Sequence, residues 1–440
     1  MRDLALLGIV LWGLPYAFRH TWIGVLLWTW FSLMNPHRLT YGFAYNLQFA
    51  AAIAGTTLVS LYITRDKVSV PSNPAVTVLI MFFCWTCITT ALGFYPLESW
   101  DMLNKVWKIQ LMTVVAFAAL RERKHIELFV WVNVLSIGFY GFKGGLFTLK
   151  GGGSEKVWGP AGSFIEGNNE IGLAMIVVIP LMNYLRTVAT RGWVRHGLLI
   201  LMALSAIASL GTQSRGALLA LSAMGLVLWI RSKQKVVAGF FIAVFAAGLV
   251  AFMPDSWDAR MRTIENYQED GSAMGRINAW WMAFNLANDR FFGGGFQIYS
   301  HELFGRYAPN PLDVHAAHSI YFQVLGEHGY IGLILFMLIW IFGFITASNI
   351  RKEATKREET KWLYHLAGMC QVSLVGYAVG GAFLSLAYFD LPYNILVVLV
   401  VSMRWLQEKL WETDRQGAFG ASVSPSQIRA TPQKKVQQWF

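Results

Sequence analysis

The stretch Tyr330 to Ile350, YIGLILFMLIWIFGFITASNI, holds no charged residue and is followed at once by Arg351 and Lys352. A helix of about 20 mostly apolar residues crosses a bilayer core, and basic residues gather where it leaves on the cytoplasmic side. This run reads as a membrane span, and the rest of the chain repeats it. Of the 440 residues, 55% are hydrophobic and only 14% charged, whereas a soluble domain carries about a quarter charged residues.

Working outward, the spans before it run from Leu4 to Phe18, Thr21 to Met34, Phe43 to Thr64, Pro74 to Gly93, Val106 to Leu120, His125 to Phe142 and Glu170 to Leu185. Then come Val194 to Leu210, Ala217 to Ile230 and Val236 to Phe252, with Trp362 to Tyr388 and Pro392 to Trp405 closing the series. The expected fold is an all-α polytopic integral membrane protein of about 12–13 transmembrane helices. Its N-terminal apolar stretch lacks a small-residue cleavage site and reads as a retained span.

Basic residues cluster at Arg65 and Lys67, Arg121 to Lys124, Arg186 to Arg195, Arg231 to Lys235 and Arg351 to Lys361, which places those loops in the cytoplasm. The Gly-rich loop 151–169, the turn Thr212 to Arg215 and the long loop 254–329 then lie outside. Charge parity admits both 12 and 13 spans. Three regions are expected: an N-terminal transmembrane region 1–143, a second membrane region 144–411 whose extracytoplasmic loop 254–329 contains short helices, and a disordered cytoplasmic tail 412–440.

The net charge of +11 lies mainly in these short flanking loops, which argues against nucleic acid. Cys84, Cys87 and Cys370 fall within apolar runs and read as packing, not as a redox or zinc set. His315 and His318 have no acidic or cysteine partner at metal-ligand spacing, and His301-Glu302 lacks the second His of a metalloprotease motif. Gly293 to Gly295 is not followed by Lys-Ser or Lys-Thr, so it reads as a turn and not a phosphate loop. Neither metal nor cofactor is expected.

Three residues carry the expected chemistry. Arg215, in GTQSRGA, stands between two apolar helices on the less basic side, where a guanidinium is costly unless it snorkels or binds an anion. Arg276, in GRINAWW, offers the planar fork that suits phosphate, although a merely solvating role stands beside it. His318, in HAAHSIY, has the near-neutral pKa of a base for a hydroxyl nucleophile; taken alone, a loop histidine is more often structural.

Taken together, Gly162 to Asn169, Gln213 to Ala220, Gly275-Arg276 with Trp280, Phe292 to Phe296, and His318 with Gly326-Glu327 and Gly329 resemble the O-antigen ligase and polymerase superfamily. Ser32 to Arg38 and Ala387 to Pro392 resemble its exosortase A-associated O-glycosylation ligase branch. The resemblance implies a bacterial inner-membrane, multi-pass glycosyltransferase whose active site faces the periplasm. Such an enzyme moves a glycan from undecaprenyl diphosphate to an acceptor hydroxyl on glycan, lipid or protein, inverting and metal-independent. It implies that Arg215 and Arg276 hold the donor diphosphate and that His318 activates the acceptor, with Glu327 and Asn168 in acceptor or orienting roles. Ser319, where relatives often have Asn, and His328, a second imidazole, leave the identity of the base open.

Two other functions share many of these features. A polymerase joining lipid-linked repeat units would use the same donor and differ in acceptor. A transporter of lipid-linked sugars would place ionisable residues deep in its helices, where Lys108 is the clearest candidate.

Overall fold

A computed structural model of the chain describes residues 1–232, 234–236, 239–240, 243 and 271–412. The expected span Val236 to Phe252, loop residues 254–270 and tail residues 413–440 lie outside or largely outside the described residues. Among the described residues all regular structure is helical, with no strand. The α-helices are α1 Arg2–Arg19, α2 Thr21–Met34, α3 Phe49–Ile63, α4 Pro74–Ala91, α5 Pro96–Ala119, α6 Arg123–Lys150 and α7 Asn168–Val188. They continue with α8 Gly192–Gly211, α9 Arg215–Arg231, α10 Gly271–Asp289, α11 His301–Tyr307, α12 Ile320–Ala354, α13 Lys361–Gly381 and α14 Asp390–Gln407.

Hydrocarbon offers no partner for a backbone amide, so a chain this apolar has to close its hydrogen bonds within each span. Among the described residues α4, α6, α7, α8 and α12 are long and apolar enough to cross a membrane, and α2 and α3 are shorter apolar helices. Ile334, Ile341 and Ile345 of α12 remain exposed, as lipid-facing side chains do. The protein is a polytopic membrane protein built of helices. At the centre, α14 is buried almost all round from Leu391 to Val401 and packs against α2, α5, α6, α12 and α13.

Helix ends follow local chemistry. The side chain of Asn73 accepts the Ala75 amide ahead of Pro74, so α4 begins with a capped turn whose first position needs no N–H. Two helices outrun the apolar runs that announced them. Helix α5 starts ten residues before Val106, and its first turns expose Glu98, Asp101, Lys105 and Lys108 while burying Ser99 and Leu103. Helix α6 continues past Phe142 because its glycines form a packing seam. A Cβ on Gly141 would lie 2.0 Å from Ser205 Oγ, and one on Gly145 would lie 2.5 Å from the Leu204 carbonyl oxygen. Residues 143 and 144 consequently sit inside one helix, and a continuous core runs from Leu6 to Trp405. Conversely, Phe43–Asn46 is a short 3-10 turn, and α3 begins only at Phe49.

At one end of the bundle arginines tie helix ends together. Arg404 donates to the carbonyls of Ser69, at 2.7 Å, and Leu120. Arg231 and Arg351 both donate to Gln371 Oε1, at 3.0 and 3.2 Å. The candidate residues gather at the other end.

Candidate active site

The turn ahead of Arg215 is held from three directions. Gln213 adopts a left-handed conformation (φ 55°), and its side-chain amide donates to the Gly153 carbonyl at 3.1 Å. The Val157 amide donates to the Gly211 carbonyl at 3.1 Å, and Asn168 Nδ2 donates to the Thr212 carbonyl at 2.7 Å. Ser214 then caps α9 by accepting the Ala217 amide. Arg215 is the first residue of that helix and is half-buried. Asn168 therefore acts on the backbone of this turn.

Helix α10 organises the opposite wall. Asn278 Nδ2 donates to the carbonyls of Asn310 and Asp313 at 2.8 and 2.9 Å, and its Oδ1 accepts the Asn310 amide. One turn after Arg276, on the same helix face, Trp280 donates its indole N–H to the Ala317 carbonyl at 2.7 Å and stacks on Phe322 at 5.0 Å. That bond fixes the residue next to His318. The loop pays a conformational cost, since His318 itself has φ 42°.

His318 is half-buried, and its Nδ1 is buried with no hydrogen-bond partner. Burial lowers its pKa below the ordinary histidine value, and the positive charge of Arg276 and the neighbouring His315 lower it further. Arg276 also acts electrostatically on Glu170 at the start of α7. His315 lies against the Gly275 backbone, where a Cβ would be 2.3 Å from its Cδ2, and its Nε2 meets Asp313 Oδ1 at 2.7 Å. Arg215 joins the cluster through its neighbour: a Cβ on Gly216 would be 3.4 Å from that of Phe383, whose ring centroid is 6.5 Å from that of Trp280.

Glu327 and His328 lie elsewhere. Both are buried, Glu327 at 4% and His328 at 0% exposure. Tyr388 donates its hydroxyl to Glu327 and stands 2.8 Å from His328 Nε2, while Thr89 Oγ1 stands 2.6 Å from His328 Nδ1. With both nitrogens engaged and no exposure, His328 has no open position for an acceptor hydroxyl. Glu327 also takes the Gln323 amide at 3.4 Å. Just beyond, α12 breaks at Gly329 (φ 66°, ψ −171°), and the amides of Gly294 and Gly295 donate to the carbonyls of Gly326 and Glu327 at 2.9 and 2.8 Å. The Gly293 to Gly295 run is thus a wedge that satisfies helix carbonyls.

Sequence reasoning did not assign Tyr388, Thr89 or Trp85, whose indole donates to the His328 carbonyl at 2.9 Å. The sequence also points to Lys108 as a deep ionisable group, whereas Lys108 is exposed, and Glu327, His328, Asp390 and Arg404 are among the buried ones. Among the described residues no three His, Cys, Asp or Glu side chains converge as a metal-ligand set.

Residues 200–337 match the family described as O-antigen ligase. This match supports the O-antigen ligase superfamily. The matched stretch includes Arg215, Arg276, His318 and Glu327, but not Asn168. Residues 1–190 match a family of unknown function, and no curated protein matches the chain. The O-antigen ligase match carries the reading of a ligase- or polymerase-type membrane glycosyltransferase acting on lipid-linked glycans.

Proposed function

We propose that the protein transfers a glycan from undecaprenyl diphosphate to an acceptor hydroxyl at the periplasmic face of the bacterial inner membrane, with inversion and without a metal. The observation that carries this reading is His318: an imidazole with a lowered pKa, an unpartnered buried Nδ1 and the Arg276 guanidinium as an electrostatic neighbour. A lowered pKa keeps the ring neutral, and so able to accept a proton, at pH values where an ordinary histidine is partly charged.

In the proposed step the acceptor oxygen attacks the anomeric carbon and its proton passes to His318. The bond from that carbon to the diphosphate oxygen breaks, and the electron pair leaves with the lipid diphosphate. Arg215 and Arg276 stabilise the charge that develops there, since planar guanidinium forks suit phosphate oxygens. Asn168 orients the Arg215 turn through the Thr212 carbonyl. Glu327 acts as an orienting residue through the helix that follows His318, linked to Gln323 and Tyr388. Support for a lipid-linked donor comes from an apolar groove of about 300 Å³ that begins at Ile320 and Tyr321, beside His318, and continues along Trp340, Ile341 and Phe344.

The test is transfer by the purified full-length protein from glycan-loaded undecaprenyl diphosphate, with chelator present, to glycan, lipid and protein acceptors. The expected result is chelator-resistant transfer that Arg215→Ala, Arg276→Ala and His318→Ala each lower by about a hundredfold or more while the proteins remain membrane-inserted. Extension of one lipid-linked glycan by another would identify the polymerase. Undiminished transfer by His318→Ala would remove it from the mechanism, and no transfer to any acceptor would favour a transporter.

A further inference from the structure

A second cavity lies away from this cluster, in the N-terminal region. It measures about 520 Å³ and is lined by α2, the loop before α3, α3 itself and α5. Its two cations are Arg38 and Lys108, and no Asp or Glu is among its lining residues. Asp3, which packs on the same loop, uses Oδ1 to accept the amides of Gly42 and Ala44 at 3.1 Å each. Arg38 lies over the Tyr45 ring at 4.7 Å, which orients the guanidinium without neutralising it. Asn46 and Gln48 add amides to the polar rim, and His37 contributes a buried Nδ1 with no hydrogen-bond partner.

The other wall has opposite chemistry. Ala50, Ala51, Ala54, Gly55 and Leu58 present a small-residue face of α3, and Trp28 and Trp107 flank it. A Cβ placed on Gly55 would touch nothing within 4 Å, so this face is open. A cationic rim over an apolar trough matches an amphiphile with an anionic head and a hydrocarbon tail. A soluble anion would use the rim and leave the trough empty, and a neutral lipid would leave the cations unanswered.

The cavity is tied to the end of the bundle that carries the candidate active site. A Cβ on Gly162 would be 3.3 Å from Arg38 Nη2. Gly162 belongs to the loop that ends at Asn168, the residue bonded to the turn before Arg215. The cavity itself falls outside residues 200–337 and within the stretch that matches the family of unknown function.

We infer that the cavity bounded by Arg38, Lys108, His37 and the Ala50–Leu58 face of α3 is a binding site for a membrane amphiphile with a phosphate head. This inference does not rest on the transfer reaction, and its test uses neither donor nor acceptor.

Dioleoyl phosphatidic acid is titrated against the full-length protein in detergent and counted by native mass spectrometry, with dioleoylglycerol and inorganic phosphate as the other arms. A diazirine-bearing phosphatidic acid maps the position. Phosphatidic acid should bind, label the Ala50–Leu58 segment and lose affinity by about tenfold or more in Arg38→Gln/Lys108→Gln, the change expected when charge-assisted contacts are removed. Arg38→Lys/Lys108→Arg should retain binding, which separates charge from folding. Arg215→Gln/Arg276→Gln should leave this labelling unchanged, so that failure here and failure of the proposed transferase are distinguishable. Equal binding of dioleoylglycerol, equal displacement by inorganic phosphate, labelling confined to other segments, or undiminished affinity in the Gln variant would each overturn the inference.

Discussion

His318 and His328 stand on either side of one short helical segment, and their surroundings put the same side chain to opposite uses. The His318 loop is anchored through its backbone, by the Trp280 indole on the Ala317 carbonyl, and the imidazole keeps a buried nitrogen without a partner. At the kink near Gly329 the imidazole is itself the anchor, bonded to Thr89 and Tyr388 and shut from solvent. A site that holds a reactive ring by its neighbours leaves the ring's chemistry available. A site that holds a helix break by the ring consumes that chemistry.

The comparison can be broken most directly by exchanging the two losses. His318→Ala should lower transfer by on the order of 10²–10⁴, the usual contribution of a general base, with no fall in thermal stability; transfer rate and melting temperature of the same preparation check it. His328→Ala should show the converse. Leaving the Thr89 and Tyr388 hydroxyls without their imidazole should cost about 2–4 kcal/mol of stability, read from denaturation in detergent. Activity per folded molecule should change far less. If both variants lose activity alike at unchanged stability, the contrast fails.

Smaller effects sharpen it. Trp280→Phe keeps the stack on Phe322 and removes the bond to Ala317, so transfer should fall by roughly tenfold, the equivalent of one modest hydrogen bond, while pelleting and gel filtration stay unchanged. The least effect is a displacement on the pH axis. His318 accepts a proton only above its own pKa, and burial, Arg276 and His315 lower that pKa. The acid limb of the rate should therefore lie below the ordinary histidine value. Residual transfer in Arg276→Gln, which removes one lowering charge, should show the limb moved upward; a downward move would contradict the assignment.

Much of this architecture was legible because charge-free runs such as Tyr330 to Ile350 announce their solvent. Helix α5 hid its first ten residues because Glu98, Asp101 and Lys105 sit on an exposed face, and an amphipathic turn has no charge-free run. Helix α6 hid its last turns because its apolar run is interrupted by Lys143, and the close approach of Gly141 and Gly145 to α8 leaves no local signal. At the candidate site, residue chemistry together with the resemblance pointed to Arg215, Arg276 and His318. The bonds that organise their surroundings did not show, since Asn168 meets Thr212 across 44 residues and His328 meets Thr89 across 239. Such pairings depend on helix packing, which a local pattern does not encode.

The wedge at Gly294 and Gly295 carries one more consequence. Its two amides are spaced to meet two successive carbonyls at the end of a helical segment, and a Cβ on Gly293 would lie 2.5 Å from the Gly329 nitrogen. Inserting a single residue there would shift both donors out of register and strand two carbonyls in an apolar interior. Most loops tolerate a change in length, but this one is dimensioned like a machined spacer: its residue count is set by the two carbonyls it has to meet.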